Sequence, residues 1–141
     1  KLAKEIDADG VHLGQDDLDI KAAREYLGAD KIIGVSAHNV KEALEAENGG
    51  ADYLGSGAAF VTSTKTDAGA IDHKVLSDVA HSVKIPVVAI GGINKDNISQ
   101  LEGLGLDGVA VVSAIFAADD ISSAVIDLKA KAEKVAESSV K

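Results

Sequence analysis

The chain has 141 residues, enough for one domain with a sizeable core and too few for two. Apolar residues at 46% against 26% charged exclude a disordered chain, and only 3% aromatics leave the core to Val, Ile, Leu and Ala. A formal charge of −9 argues against an electrostatic hold on nucleic acid or anionic membrane, and the absence of cysteine excludes disulfides, thiolate metal sites and thiol nucleophiles.

The first strand is predicted at Gly10–Gly14, followed by a helix over Leu18–Leu27 that Gly28 closes. A second strand, Lys31–Ser36, leads to Asn39 with Glu42 three residues on, a capping box that opens a helix over Val40–Asn48 before Gly49. The third strand, Asp52–Gly57, is followed by the one long loop, Ala58–Ile71. Apolar residues at Val75, Leu76, Val79, Ala80 and Val83 then mark a helix over Asp72–Val83. A fourth strand, Pro86–Ile90, precedes a helix over Lys95–Leu104 capped by Asn94. A fifth, Gly108–Ser113, precedes a last helix from Asp119 or Asp120 to about Ala136. Short, continuously apolar strands alternating with helices predict βαβ units and a parallel sheet. Five strands make either an open sheet or the larger part of a (β/α)8 barrel, which spans roughly 250 residues.

No apolar run reaches the roughly 20 residues of a membrane helix. No signal peptide is expected from the opening residues, and the lack of cysteine fits a cytoplasmic protein. Methionine is absent even from position 1, so the chain is expected to be processed or part of something longer.

In either architecture ligands bind beyond the C-terminal ends of the strands. Those ends carry His12 to Asp17, Ser36 to His38, the loop Thr62-Ser63-Thr64-Lys65, Gly91-Gly92, and Val112-Ser113. The glycine pair either brings backbone N–H groups to a ligand or makes a tight turn. Three hydroxyls and a lysine offer donors and one countercharge to phosphate oxygens, or form a solvated loop. Asp16 or Asp17 could hold Mg²⁺ together with substrate phosphate, or cap the helix near Leu18. His12 and His38 suit a neutral hydrogen-bonding role, and His73 and His81 a solvated one.

Six strings in order, Gly10–Asp17, Gly34–His38, Gly49–Tyr53, Thr62–Lys65, Ala89–Ile93 and Val109–Ile115, closely resemble the thiamine-phosphate synthase family. The resemblance runs from about Ala8 to Ile115 and implies a (β/α)8 barrel whose strands 4 to 8 are the five found here. The chain would then be a single, N-terminally incomplete barrel domain, with Lys1–Ala8 as the helix entering strand 4. The family's diphosphate-binding Gln-Leu-Arg motif and Asn-Asp pair would lie upstream. The implied reaction joins a hydroxymethylpyrimidine diphosphate to a thiazole phosphate, giving thiamine phosphate and pyrophosphate with Mg²⁺ assistance. On that reading Asp17 is a Mg²⁺ ligand, Ser36 contacts the pyrimidine, and Thr62, Ser63 and Thr64 line the thiazole-phosphate site. Lys65 pairs with the leaving diphosphate, and Gly92, Val112 and Ser113 bind the thiazole phosphate. Where the family has prolines in the long loop, this chain has Ala58 and Val61.

Two rivals remain on sequence alone. A thiazole tautomerase would use His38 as acid–base, and a non-catalytic fragment would bind thiazole phosphate without turnover. Open strand edges further predict association with a second copy or completion by another segment.

Overall fold

The protein is described by a computed structural model covering residues 1–61 and 69–139. In order come α1 (Leu2–Glu5), β1 (Gly10–Leu13), α2 (Ile20–Leu27), β2 (Ile32–Ala37), α3 (Val40–Gly49) and β3 (Tyr53–Gly57). Then follow α4 (His73–Ser82), β4 (Val87–Ile90), a 3₁₀ turn (Ile98–Leu101), β5 (Gly108–Ala110), α5 (Ser113–Phe116) and α6 (Ile121–Glu137). The strands form one parallel sheet in the order β1-β2-β3-β4-β5.

Sequential parallel neighbours take right-handed crossovers, which carry every crossover helix to the same face. The side chains agree. Ile33, Leu54, Val87 and Ala89 point to one face and have no exposed surface, as do Ala43, Leu76, Val79 and Ala80 on the helices against them. The opposite face alternates with it, and its Ile32 and Ile90 are 51% and 40% exposed. A doubly wound sheet would bury both faces. The singly wound arrangement is that of a barrel sheet, with helices outside and one strand face turned inward.

Several boundaries shift for identifiable reasons. Asp19, not Asp16 or Asp17, caps α2, its carboxylate accepting from Lys21 and Ala22 N–H. β1 ends at Leu13 because the Gly14 N–H turns to the Asp17 carboxylate, 2.6 Å away. β5 stops at Ala110, where its partner β4 ends at Ile90, so Val111 to Ser113 have no ladder to join and Ser113 opens α5 instead. Asn94 does accept from Asp96 and Asn97 N–H, but only the single turn Ile98–Leu101 follows. Gly103 and Gly105, both at positive φ, cut the helix short. Asn39 caps α3 as expected, with Gly50 rather than Gly49 in the left-handed closing position.

At the N-terminal ends of the strands, acidic side chains seal the sheet. Asp52, just before β3, donates its N–H to Ile33 O and accepts the Ile33 N–H at 2.7 Å on its carboxylate. Asp107, just before β5, repeats the exchange with Val87, its carboxylate 2.8 Å from the Val87 nitrogen. Arg24 from α2 reaches the same end, donating to Asp52 at 2.7 Å, to Gly50 O at 3.0 Å and, very closely, to Lys31 O. Burial raises the Asp52 carboxyl, but the Ile33 N–H and Arg24 more than offset it and leave it below its ordinary value.

Candidate functional site

The C-terminal ends of the strands form the other rim. On the inward face of β1, His12 sits between two hydroxyls, its Nδ1 2.9 Å from Tyr53 Oη and its Nε2 2.9 Å from Ser36 Oγ. Two glycines make room for these rings. A Cβ at Gly34 would lie 2.2 Å from the Tyr53 ring, and one at Gly55 would lie 3.0 Å from His12 Cε1. Gln15 Nε2 donates to Ser36 O at 2.6 Å, tying the loop after β1 to the end of β2. Burial between the strands pulls the His12 pKa down, and the nearby negative charge of Asp17 only partly offsets this. The net effect favours the neutral ring.

Asp17 lies at the same end of β1, braced by the Gly14 N–H. It lines a cleft of about 180 Å³ between the β1 and β2 ends and helices α2 and α3, together with Asp19, Glu42 and Glu45. Glu42 accepts both the His38 N–H at 2.8 Å and the His38 Nδ1–H at 2.9 Å. Burial raises the Glu42 carboxyl, yet these bonds and one from Asn39 hold it below the usual carboxylate range. Among the described residues no three His, Cys, Asp or Glu side chains gather closely enough to hold a metal by themselves. Mg²⁺ needs no such cage, since one or two carboxylates plus phosphate oxygens and water suffice. Asp17 fits that limited demand as a single ligand.

At the β4 end, Gly91 and Gly92 adopt φ of 98° and 66°. A Cβ on Gly91 would lie 2.7 Å from the Ala58 Cβ, and one on Gly92 2.7 Å from Phe60 O. The pair is thus required by the turn, whatever it also binds. Phe60 is fixed beside it, its N–H donating to Gly91 O and its ring meeting His73 edge-on at 5.1 Å between centroids. His73 is half-buried and donates Nε2–H to Ala59 O at 3.1 Å, so it braces this corner and is not the solvated residue expected. His81 is exposed, as expected. Asn97 Nδ2 donates to Gly92 O at 2.8 Å. Val112 is 69% exposed at the mouth of α5, and Ser113 lines a groove of about 600 Å³ that runs past Asn94 to α6. Thr62, Ser63, Thr64 and Lys65 lie outside the described residues.

The structure therefore gathers Asp17, Ser36, Gly92, Val112 and Ser113 along one rim, the β2 and β4 ends being two strand spacings or roughly 10 Å apart. The sequence reading missed Tyr53 as the partner of His12. Their contact spans 41 residues and follows from register, because His12 and Tyr53 both pair with Gly34.

The chain matches the sequence family described as thiamine monophosphate synthase over residues 1–115. It is 55% identical over 120 residues to the thiamine-phosphate synthase of Clostridium acetobutylicum, covering 85% of this chain and 57% of that protein. The thiamine-phosphate synthase of Clostridium beijerinckii is 50% identical over 128 residues, covering 91% of this chain and 61% of its own length. Among solved structures, thiamine phosphate pyrophosphorylase from Pyrococcus furiosus superposes with a TM-score of 0.85 at 48% identity, over 95% of this chain and 64% of that one. The chain thus spans about three-fifths of the length of these relatives. Their names favour the synthase resemblance over the tautomerase. With the sheet, the strand-end motifs and the relatives in agreement, this chain belongs to the thiamine monophosphate synthase family.

Proposed function

We propose that the five strands are strands 4 to 8 of a (β/α)8 barrel that joins hydroxymethylpyrimidine diphosphate to thiazole phosphate, releasing pyrophosphate. The observation that carries this reading is the gathering of Asp17, His12–Ser36, Gly92 and Ser113 on one strand-end rim in a member of this family. The open edges of β1 and β5 and the uncovered inward face support completion by three further strands, or failing that by a second copy.

In the reaction, the carbon–oxygen bond between the pyrimidine methylene and the diphosphate breaks, its electron pair leaving with pyrophosphate. The thiazole nitrogen lone pair then forms the new carbon–nitrogen bond. Lys65 holds the leaving group by charge, and Ser36 orients the pyrimidine. Thr62, Ser63 and Thr64 with Gly92, Val112 and Ser113 hold the thiazole phosphate through hydroxyl and backbone donors. Mg²⁺, held by Asp17 and substrate oxygens, would supply charge neutralisation on the diphosphate. No covalent nucleophile is required of the protein.

The test is turnover by the polypeptide as the cell makes it. Both substrates with Mg²⁺ should give thiamine phosphate and an equal amount of pyrophosphate, and Lys65→Ala should slow this by about 100-fold. Thiazole-phosphate binding without any product would replace catalysis with binding alone.

A further inference from the structure

The contacts of His12 leave one question of chemistry open, namely which ring nitrogen carries the proton. A neutral imidazole has one N–H and one lone pair, so it donates to one neighbour and accepts from the other. Here both neighbours are hydroxyls, at equal distances of 2.9 Å. They are not equivalent donors. A phenol, with a pKa near 10, gives up its hydrogen to a hydrogen bond far more readily than an aliphatic alcohol, and its oxygen accepts less well. Tyr53 is therefore the natural donor to Nδ1, which leaves the proton on Nε2, facing Ser36 Oγ.

We propose that Tyr53 fixes His12 as the Nε2–H tautomer, making His12 a positioning residue that donates to Ser36 and leaves the Ser36 hydroxyl hydrogen for a ring-nitrogen acceptor on the pyrimidine substrate. The opposite tautomer would consume that hydrogen and present Ser36 as an acceptor only. The geometry that holds the three groups in contact is built into the strands. Gly34 and Gly55 leave the space in which the Tyr53 and His12 rings lie, and the Gln15 side chain anchors the Ser36 carbonyl at 2.6 Å. The ligand half of this inference rests on the reading of Ser36 given above; the tautomer half does not.

Two measurements separate them. Nitrogen-15 spectra of the ring-labelled protein should show His12 protonated at Nε2 and bare at Nδ1, with that preference lost in Tyr53→Phe. A proton on Nδ1 in the wild type overturns the proposal whatever the enzyme does. In the synthase assay, His12→Gln keeps an N–H near the Nε2 position and should hold KM for the pyrimidine diphosphate within about threefold. His12→Ala should raise it about tenfold, the value of one hydrogen bond, with KM for thiazole phosphate unmoved. Equal losses in Gln and Ala, or a rise in both KM values, contradict the positioning role. A wild type that makes no product refutes the synthase reading and the ligand half with it, while the spectra still decide the tautomer.

Discussion

The two rims of the sheet use polar side chains in opposite ways. At the N-terminal rim, Asp52 and Asp107 turn their carboxylates onto strand N–H groups, and Arg24 donates to four carbonyls and the Asp52 carboxylate. These groups are consumed by the fold. On the inward face, His12 and Ser36 near the C-terminal ends and Tyr53 reaching up from the start of β3 bond mainly to one another, on a face whose Ile32 and Ile90 remain exposed. Their bonds orient groups and close nothing. The difference teaches that one end of a parallel sheet can carry the stability while the other stays available for a ligand.

The largest test of that division is Arg24→Ala. It strips hydrogen bonds from the Lys31 and Gly50 carbonyls and leaves Asp52 without its cation, so it should destabilise the protein by about 3 kcal/mol in urea unfolding. Ligand affinity of the folded fraction should not change. Gly92→Ala sharpens the comparison from the other rim. Its positive φ and a Cβ only 2.7 Å from Phe60 O predict a loss of about 2 kcal/mol together with weaker thiazole-phosphate binding. It is the position where one residue serves both ends of the argument.

Asp52→Asn should cost about 1 kcal/mol at pH 7, since Asn still accepts the Ile33 N–H and the pair is half exposed. Because the folded carboxyl lies below its ordinary value, its stabilisation is complete above the unfolded pKa of about 4. It disappears as pH falls through the lower folded value. The gap between wild type and variant should therefore close in acid, and a gap constant to pH 2 would assign it to packing. Ser36→Ala has the smallest expected effect on stability, within about 0.5 kcal/mol, while weakening pyrimidine binding. A large loss of stability there would erase the distinction between the rims.

The strands and the family were legible in the sequence because buried parallel strands read as continuous apolar runs and their ends carry the motifs. Strand ends were less so, because they depend on the neighbour. Ser113 reads as strand until β4, the partner of β5 among the described residues, stops at Ile90. The helix after Asn94 fails because two positive-φ glycines, Gly103 and Gly105, follow within a few residues, a signal present in the sequence but outweighed by the capping pattern. Asp16 and Asp17 look like caps as much as Asp19 does, and only the observed bonds to Lys21 and Ala22 choose among them. The Tyr53–His12–Ser36 chain joins three strands, and it becomes visible only once the register is known. The aspartates preceding β3 and β5 did carry a signal, an Asp placed one residue before each strand. Asp9 before β1 shows its limit, since there the backbone carbonyl, and not the side chain, meets the next strand at Ile32.

The most direct measurement is a backbone-amide NMR titration of the protein with thiazole phosphate. The account predicts shifts at Gly92, Val112 and Ser113, with Ile33, Asp52, Val87 and Asp107 at the opposite rim unmoved. Shifts centred on the N-terminal rim or on the helix layer, or none at millimolar ligand, would contradict it.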